Sequence, residues 1–258
     1  MTDRLFTQLP NRAYTIRVDP TASVAPVRET LLRVFDKQPV DVTTGSANQA
    51  GEIEVISDGQ RLAASSVDEL FQSLLLVNSD VYITGSRPLA DCKLPDVLSA
   101  LDEIPFLVRG YPESDTEKLL LIAVSREVER LASLAGAGTL RVGFQQLSRL
   151  VDEPGTYRVY EQLCATDLDI HAYGEGDVAV PAELDLTVHT GNSQLHRHGW
   201  FVVFQPESTD GPTAGRAAGL FSTEREPNRW GGFWTFDSER VDAIARTITD
   251  SIPDQSGE

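Results

Sequence analysis

The order of elements legible in the chain predicts an α/β (α+β) protein built of two mixed modules. Three observations carry that expectation. Segments that alternate apolar and polar residues, as half-buried strands do, are interleaved with segments repeating at the helical period. Capping and turn residues punctuate them at their ends. A stretch broken by Pro88, Pro95, Pro105, Gly110 and Pro112 separates the two runs of elements. The expected modules are therefore residues 1–113 and 114–252, followed by a disordered polar tail at 253–258. The second module is expected to hold a mostly antiparallel or mixed sheet, with helices mainly on one face.

In the first module, Ala13 to Val18 alternates as a strand. A helix follows, with Pro26 in its first turn and Val27, Leu31, Val34 and Phe35 on one face. Val40 to Thr43 reads as a short strand, and Gly45 to Gly51 as a polar loop. Glu52–Ile56 and Arg61–Ala64 flank Ser57-Asp58-Gly59-Gln60, whose Asp-Gly centre favours a tight hairpin. Ser66-Val67-Asp68-Glu69 has the form of a capping box ahead of Val67, Leu70, Phe71, Leu74 and Leu75. Val81 to Thr84 is a further short strand. Pro88 to Pro112 reads as a connection, holding at most a short helix near Asp96 to Leu101.

A second capping box, Ser114-Asp115-Thr116-Glu117, opens the strongest helix in the chain. Leu120, Val124, Val128 and Leu131 mark its apolar face, and Gly136 ends it. Thr139 to Phe144 is the next strand, with Leu140, Val142 and Phe144 facing one way. Gln145 to Leu150 fits no single period, and Thr156 to Ala165 is helical, with Val159, Tyr160, Leu163 and Cys164 as its stripe. Leu168–Tyr173 and Asp185–His189 alternate as strands, while Trp200 to Phe204 is continuously apolar and predicts a central strand. Ala217–Thr223 and Gly232–Phe236 flank a turn at Pro227-Asn228, and Asp237 caps a last helix through Val241, Ile244 and Ile248.

Composition narrows the function. The 258 residues carry 39 acidic against 22 basic side chains, a formal charge of −17, and a hydrophobic fraction of 41%, enough for a real core. No apolar run reaches the ~20 residues of a membrane helix, and the N-terminus lacks a secretory leader, so a cytoplasmic protein without membrane contact is expected. Only Lys37, Lys93 and Lys118 are lysines, and the acidic residues are spread evenly. That pattern fits a high-salt cytoplasm, where screening removes self-repulsion, better than an acidic protein with a basic partner. Nucleic acid is not expected as a ligand, because no basic stripe meets phosphates.

Catalytic motifs are sparse. The chain has no GxxxxGK[ST] loop, GxSxG elbow or HExxH helix, and Gly136-Ala137-Gly138 precedes a strand instead of opening a helix. No catalytic residue, cofactor or metal site is assigned. His171, His189, His196 and His198 nonetheless fall close together in sequence, and a metal-dependent enzyme would require three of them to converge. The competing expectation places His196 and His198 in an exposed polar turn. His171 shares a strand side with Asp169 and Tyr173, lining either a pocket or a solvated face. Gln145, Arg149, Asp152 and Glu153 form a dense polar group leaving a strand end, where ligands tend to be held. Arg149 either clamps an anionic group or pins the loop through Asp152 or Glu153. With Tyr160, His171 and Tyr173 these make up the candidate ligand-binding set. Trp200 is expected in the core and Trp230, beside Gly231 and Gly232 at a turn, as an exposed contact. Cys92 and Cys164 read as inert thiols.

Several blocks together resemble a known family. They are Leu120 to Glu129, Gly138 to Gln145, Val159-Tyr160-Glu161, Asp169 to Gly174, Trp200 to Phe204 and Gly232 to Thr235. In this order and spacing they resemble the DICT domain, a sensory module associated with diguanylate cyclases and two-component systems, over residues 115 to 250. The first half, with Leu76 to Asp80 and Arg109 to Ser114, looks like the leader of DICT proteins from salt-loving archaea. The resemblance implies signal input with no catalytic residues to carry over and no established ligand. The expected function is non-enzymatic signalling, with output through a separate regulatory partner such as a kinase, cyclase or transcription regulator, and a small-molecule signal as input. A scaffold protein without a ligand is the alternative, and a metal-dependent enzyme the third.

Overall fold

The computed structural model describes residues 3–10, 12–19, 25–36, 38–45, 51–70, 72–73, 88–110, 112–114, 117–208 and 215–251. The Asp-Gly turn forms as its chemistry demands. Asp58 and Gly59 both have positive φ, 50° and 76°, which closes a two-residue loop between β3 (Glu52–Ser57) and β4 (Gln60–Ser66). With β1 (Tyr14–Val18) and β2 (Val40–Thr44) these strands make a four-stranded sheet in the order β2-β1-β3-β4, in which β1 and β2 are parallel. Short helix α1 (Asp3–Thr7) precedes β1, and α2 (Ala25–Val34) links β1 to β2, burying Leu31 and Val34. Ser66 Oγ accepts from Glu69 N at 3.0 Å, the first half of the expected capping box. Val67 and Leu70 are buried. Phe71, Leu74, Leu75, the expected strand at Val81 to Thr84 and the tail at 253–258 lie outside the described residues.

Residues 88–112 are more than a connection. The short helix is present as α3 (Asp96–Ser99), but Phe106–Arg109 forms strand β5. It pairs antiparallel with β11 (Arg229–Thr235) and becomes the edge of a seven-stranded sheet ordered β5-β11-β10-β9-β6-β7-β8. The alternation Phe106-Leu107-Val108-Arg109 was legible; the flanking Pro105 and Gly110 hid it, since an edge strand tolerates both at its ends.

Helix α4 (Glu117–Ala135) leads through Gly136, in the left-handed region at φ 71°, into β6 (Ala137–Gln146). Short α5 (Ser148–Asp152) and α6 (Pro154–Cys164) then cross to β7 (Asp167–Glu175), parallel to β6. Strand β8 (Thr187–Thr190) adds a second parallel pairing, and α7 (Gln194–His198) leads to β9 (Gly199–Pro206). The expected central strand Trp200–Phe204 does lie mid-sheet, between β6 and β10 (Ala218–Glu226). Asp237 Oδ1 accepts from Arg240 N at 2.9 Å and caps the last helix, α8 (Ser238–Ser251).

Helices cover both faces of this sheet, not mainly one. Val202 and Phe204 of β9 pack with Val128 and Ala132 of α4 and Tyr160 and Leu163 of α6. Phe201 and Val203, on the alternate face, pack with Val241, Ile244 and Ile248 of α8 and Leu5 of α1. The final helix follows β11 and has that face to cover. A third cluster joins Ile16, Val55 and Phe35 of the first sheet's layer to Leu120, Val124, Leu220 and Trp234. No helix among the described residues is long and apolar enough to cross a membrane.

The joint between the two sheets contains a charge. Glu117 is fully buried, and its carboxylate accepts from Arg33 Nε of α2 at 3.0 Å and from the Arg109 backbone N–H of β5 at 2.8 Å. Its own N–H donates to Ser114 Oγ at 3.1 Å, as the capping box predicts, but its side chain turns to these partners instead of reaching back. Truncating a buried, hydrogen-bonded carboxylate strands its partners. Glu117→Ala is expected to cost about 3 kcal/mol of stability in urea unfolding. Arg33→Ala, which removes a half-exposed partner and leaves Arg109, is expected to cost under about 1 kcal/mol. Equal losses for the two would contradict this account.

Candidate functional site

A cavity of about 100 Å³ lies between α4, α6 and the β6–β9 side of the sheet. Its apolar wall is Ile122 of α4, Val142 and Phe144 of β6, and Trp200 and Val202 of β9. Period-two alternation sets those strand residues on one face, and on the other Gly143 leaves room for the Phe201 ring, which would lie 2.5 Å from a Cβ there. Polar groups come from the helices: Lys118, Ser125, Arg126 and Glu129 from α4, Thr156 and Tyr160 from α6, with Arg149 and Glu153 between.

Most of these polar groups are held. Arg126 is buried, donates to the Glu129 carboxylate and reaches Thr156 Oγ1 at 3.2 Å. Tyr160 donates its hydroxyl to Glu129 at 2.9 Å, and Thr156 donates to Glu153 at 3.2 Å. Trp200 donates its indole N–H to Ser125 Oγ at 3.1 Å. One wall of the cavity is thus a continuous network in which each buried charge has a partner.

Strand β6 ends in a bulge against β7 between Gly143 and Gln145, and Gln145 takes a positive φ of 62°. That turns its side chain back toward β9. Its amide nitrogen donates to the Gly199 carbonyl at 2.7 Å, and its oxygen accepts from Arg149 at 2.5 Å. Arg149 is therefore aimed by Gln145, not pinned by Asp152 or Glu153. Of the sequence-predicted set, Gln145, Arg149, Glu153 and Tyr160 come together here. Asp152 is exposed on α5 and does not line the cavity.

His171 and Tyr173 lie on the other face of the sheet. They pair with Arg141 and Gly143, whose side of β6 faces away from the cavity. Tyr173 stacks on His189 of β8 with centroids 4.4 Å apart, and His171 Nδ1 lies 2.9 Å from His189 Nε2. Asp169 Oδ2 sits 3.0 Å from His171 Nε2. His196 is not in an exposed turn. It belongs to α7, is 4% exposed, and contacts Ser193 Oγ at 2.9 Å, because its ring fills the space over Gly191. Burial, then the nearby His189, lowers its pKa. His198 turns to Glu224 at 3.1 Å. Among the described residues no three His, Cys, Asp or Glu side chains converge as a metal group.

Trp230 also departs from expectation. It is 2% exposed, because pairing of β11 with β5 sets it opposite Val108 inside the sheet, whereas Trp200 is only half-buried and lines the cavity. The two rings meet edge to face at 5.7 Å. Lys118, Ser125, Arg126, Glu129, Thr156 and Trp200 escaped the sequence reading. Arg126 and Glu129 did leave a signal: they stand three residues apart just beyond the unbroken apolar run from Leu119 to Val124, on a helix expected to be buried.

No protein-family model matches the chain, and no curated protein is detectably similar. The crystal structure of polyphosphate kinase from Porphyromonas gingivalis is similar over 64% of this chain and 26% of that chain, at 12% identity and a TM-score of 0.37. A similarity this small carries no functional argument.

The network has a pH signature. Burial foremost, and then the Glu129 charge, push the Tyr160 hydroxyl well above its ordinary value of 10.0, with Arg126 opposing. The unfolded tyrosine ionises near pH 10 while the folded one stays neutral. The stability it contributes is therefore whole below about pH 10 and lost as pH rises beyond it. Tyr160→Phe is expected to cost about 1–2 kcal/mol at neutral pH and to flatten the alkaline fall in stability, measured by urea unfolding across that range. An unchanged alkaline slope would remove Tyr160 from the account.

Proposed function

We propose that this is a cytoplasmic, non-catalytic signalling protein whose second half, DICT-like in its sequence blocks, holds a small molecule in the cavity between α4, α6 and the sheet. The occupied state is then read by a separate regulatory protein. The observation that carries this reading is the cavity itself, with an aromatic and apolar wall opposite a set of fixed polar groups, the usual form of a small-molecule site. A scaffold without a ligand would have no need of that space, and a filled interior there would be better packed.

Helix α4 supports a route for the signal. It lends Ile122, Ser125, Arg126 and Glu129 to the cavity, and through Leu120 and Val124 it packs in the core shared with the four-stranded sheet. A ligand that binds one arrangement of α4 better than another shifts the balance between them, and a partner resting on the first sheet can detect the shift.

The direct test is to purify the protein in high salt without stripping it, denature it, and identify what is released by mass spectrometry. A stoichiometric organic molecule is the expected result, lost from a Val142→Phe variant that fills the cavity. Protein that releases nothing, and whose melting temperature does not rise with any small-molecule fraction of its host, would overturn the proposal.

A further inference from the structure

The positive charges facing the cavity are not all spent on protein partners. Arg126 is neutralised by Glu129. Lys118 and Arg149 are not. Among the described residues Arg149 makes no ion pair, and its hydrogen bond goes to the neutral Gln145 amide. Lys118 has no hydrogen bond or ion pair with a described residue, and its ammonium lies 5.8 Å from the Trp200 ring centre and 5.3 Å from that of Trp230. Its pKa is lowered, by burial first and by the Arg149 charge second, while Glu224 and Glu153 act on it in the opposite sense. Glu153 also lines the cavity, held by Thr156, so with Arg126 and Glu129 paired the lining of a protein of net charge −17 still keeps two cations against one remaining carboxylate in a small, largely apolar space.

Holding a cation partly out of water without a counter-charge in contact is costly, and a second cation nearby adds to the cost. An arrangement of this kind is relieved when an anion enters. We infer that the cavity takes a short-chain organic carboxylate, its carboxylate between Lys118 and Arg149 and its apolar part against Val142, Val202 and Trp200. This rests on the reading of the cavity as a ligand site and goes on to name the ligand's class. Arg149 is suited to the role because its planar fork meets a carboxylate through two parallel bonds and Gln145 already orients it. Lys118 supplies a point charge, its ammonium lying over the two indole rings. The enclosed space of about 100 Å³ favours a small ligand.

Titration of the intact protein with propionate and with the isosteric neutral propionamide, followed by tryptophan fluorescence at constant ionic strength, separates the cases. Saturable binding of propionate, with the amide at least about tenfold weaker, is expected. Lys118→Met and Arg149→Gln are each expected to weaken propionate binding about tenfold or more, and Arg149→Lys to restore part of it. Arg197→Gln, in an exposed pair with Glu175 away from the cavity, leaves binding unchanged. Equal binding of acid and amide overturns the inference, and so does preference for inorganic phosphate. No binding of propionate or of longer carboxylates overturns it as well. Should a variant fail to fold, the acid-to-amide ratio of the wild type decides alone. A neutral molecule released on denaturation would end this inference while leaving the cavity's role as a ligand site intact.

Discussion

Four charged side chains of one helix are buried, and the rest of the chain is arranged to satisfy them. Glu117, Arg126, Glu127 and Glu129 of α4 are each no more than 7% exposed. A buried charge without partners is among the most costly features a fold can hold, so each needs hydrogen bonds from elsewhere. Glu117 takes them from α2 and β5. Glu127 accepts from the Leu94 N–H at 3.0 Å and from Nε and Nη2 of Arg130, both at 2.8 Å, and the Leu94 bond ties the chain ahead of α3 to the helix. Arg126 and Glu129 draw Thr156 and Tyr160 of α6 over the cavity. The same requirement thus joins the two sheets and builds the wall of the site.

The seven-stranded sheet divides the remaining chemistry. Alternation along β6, β7 and β9 sends Val142 and Val202 to the cavity face and His171, Tyr173 and Phe201 to the other. His171 and His189 and the cavity therefore belong to different layers, and a site combining them is not available to this fold. The bulge at the end of β6 is the exception that matters, because it brings the buried Gln145 to the cavity, where it orients Arg149.

Much of the fold was legible in local pattern. The Asp58-Gly59 hairpin, the Ser114 and Asp237 caps, Gly136 as the stop of α4 and the central strand at Trp200–Phe204 all follow from short-range chemistry, and short-range chemistry acted there. What escaped was decided by partners distant in sequence. Strand β5 has meaning only through β11, and once paired it buries Trp230, which looks exposed beside its two glycines. His196 looks like a turn residue until Gly191 provides its niche. In the candidate site, Gln145, Arg149, Glu153 and Tyr160 were reachable because they cluster along one stretch of chain. Lys118 and Trp200 were not, since only the α4 crossing places them beside that stretch. His171 and Tyr173 lie on the other side of the sheet, and Asp152 is exposed on α5.

The central claim is that α4 makes the two sheets one cooperative unit with the cavity inside it. Native-state hydrogen exchange measures this directly, residue by residue. The account predicts that amides of α4, of the β1–β3 pairing around Ile16 and Val55, and of the β6–β9 pairing around Val142 and Val202 exchange with a common limiting free energy, that of global unfolding. Exchange of the β1–β3 amides through a separate, lower-energy opening while α4 and β6 stay protected would contradict it, and would leave the first sheet an appendage instead of a partner in the fold.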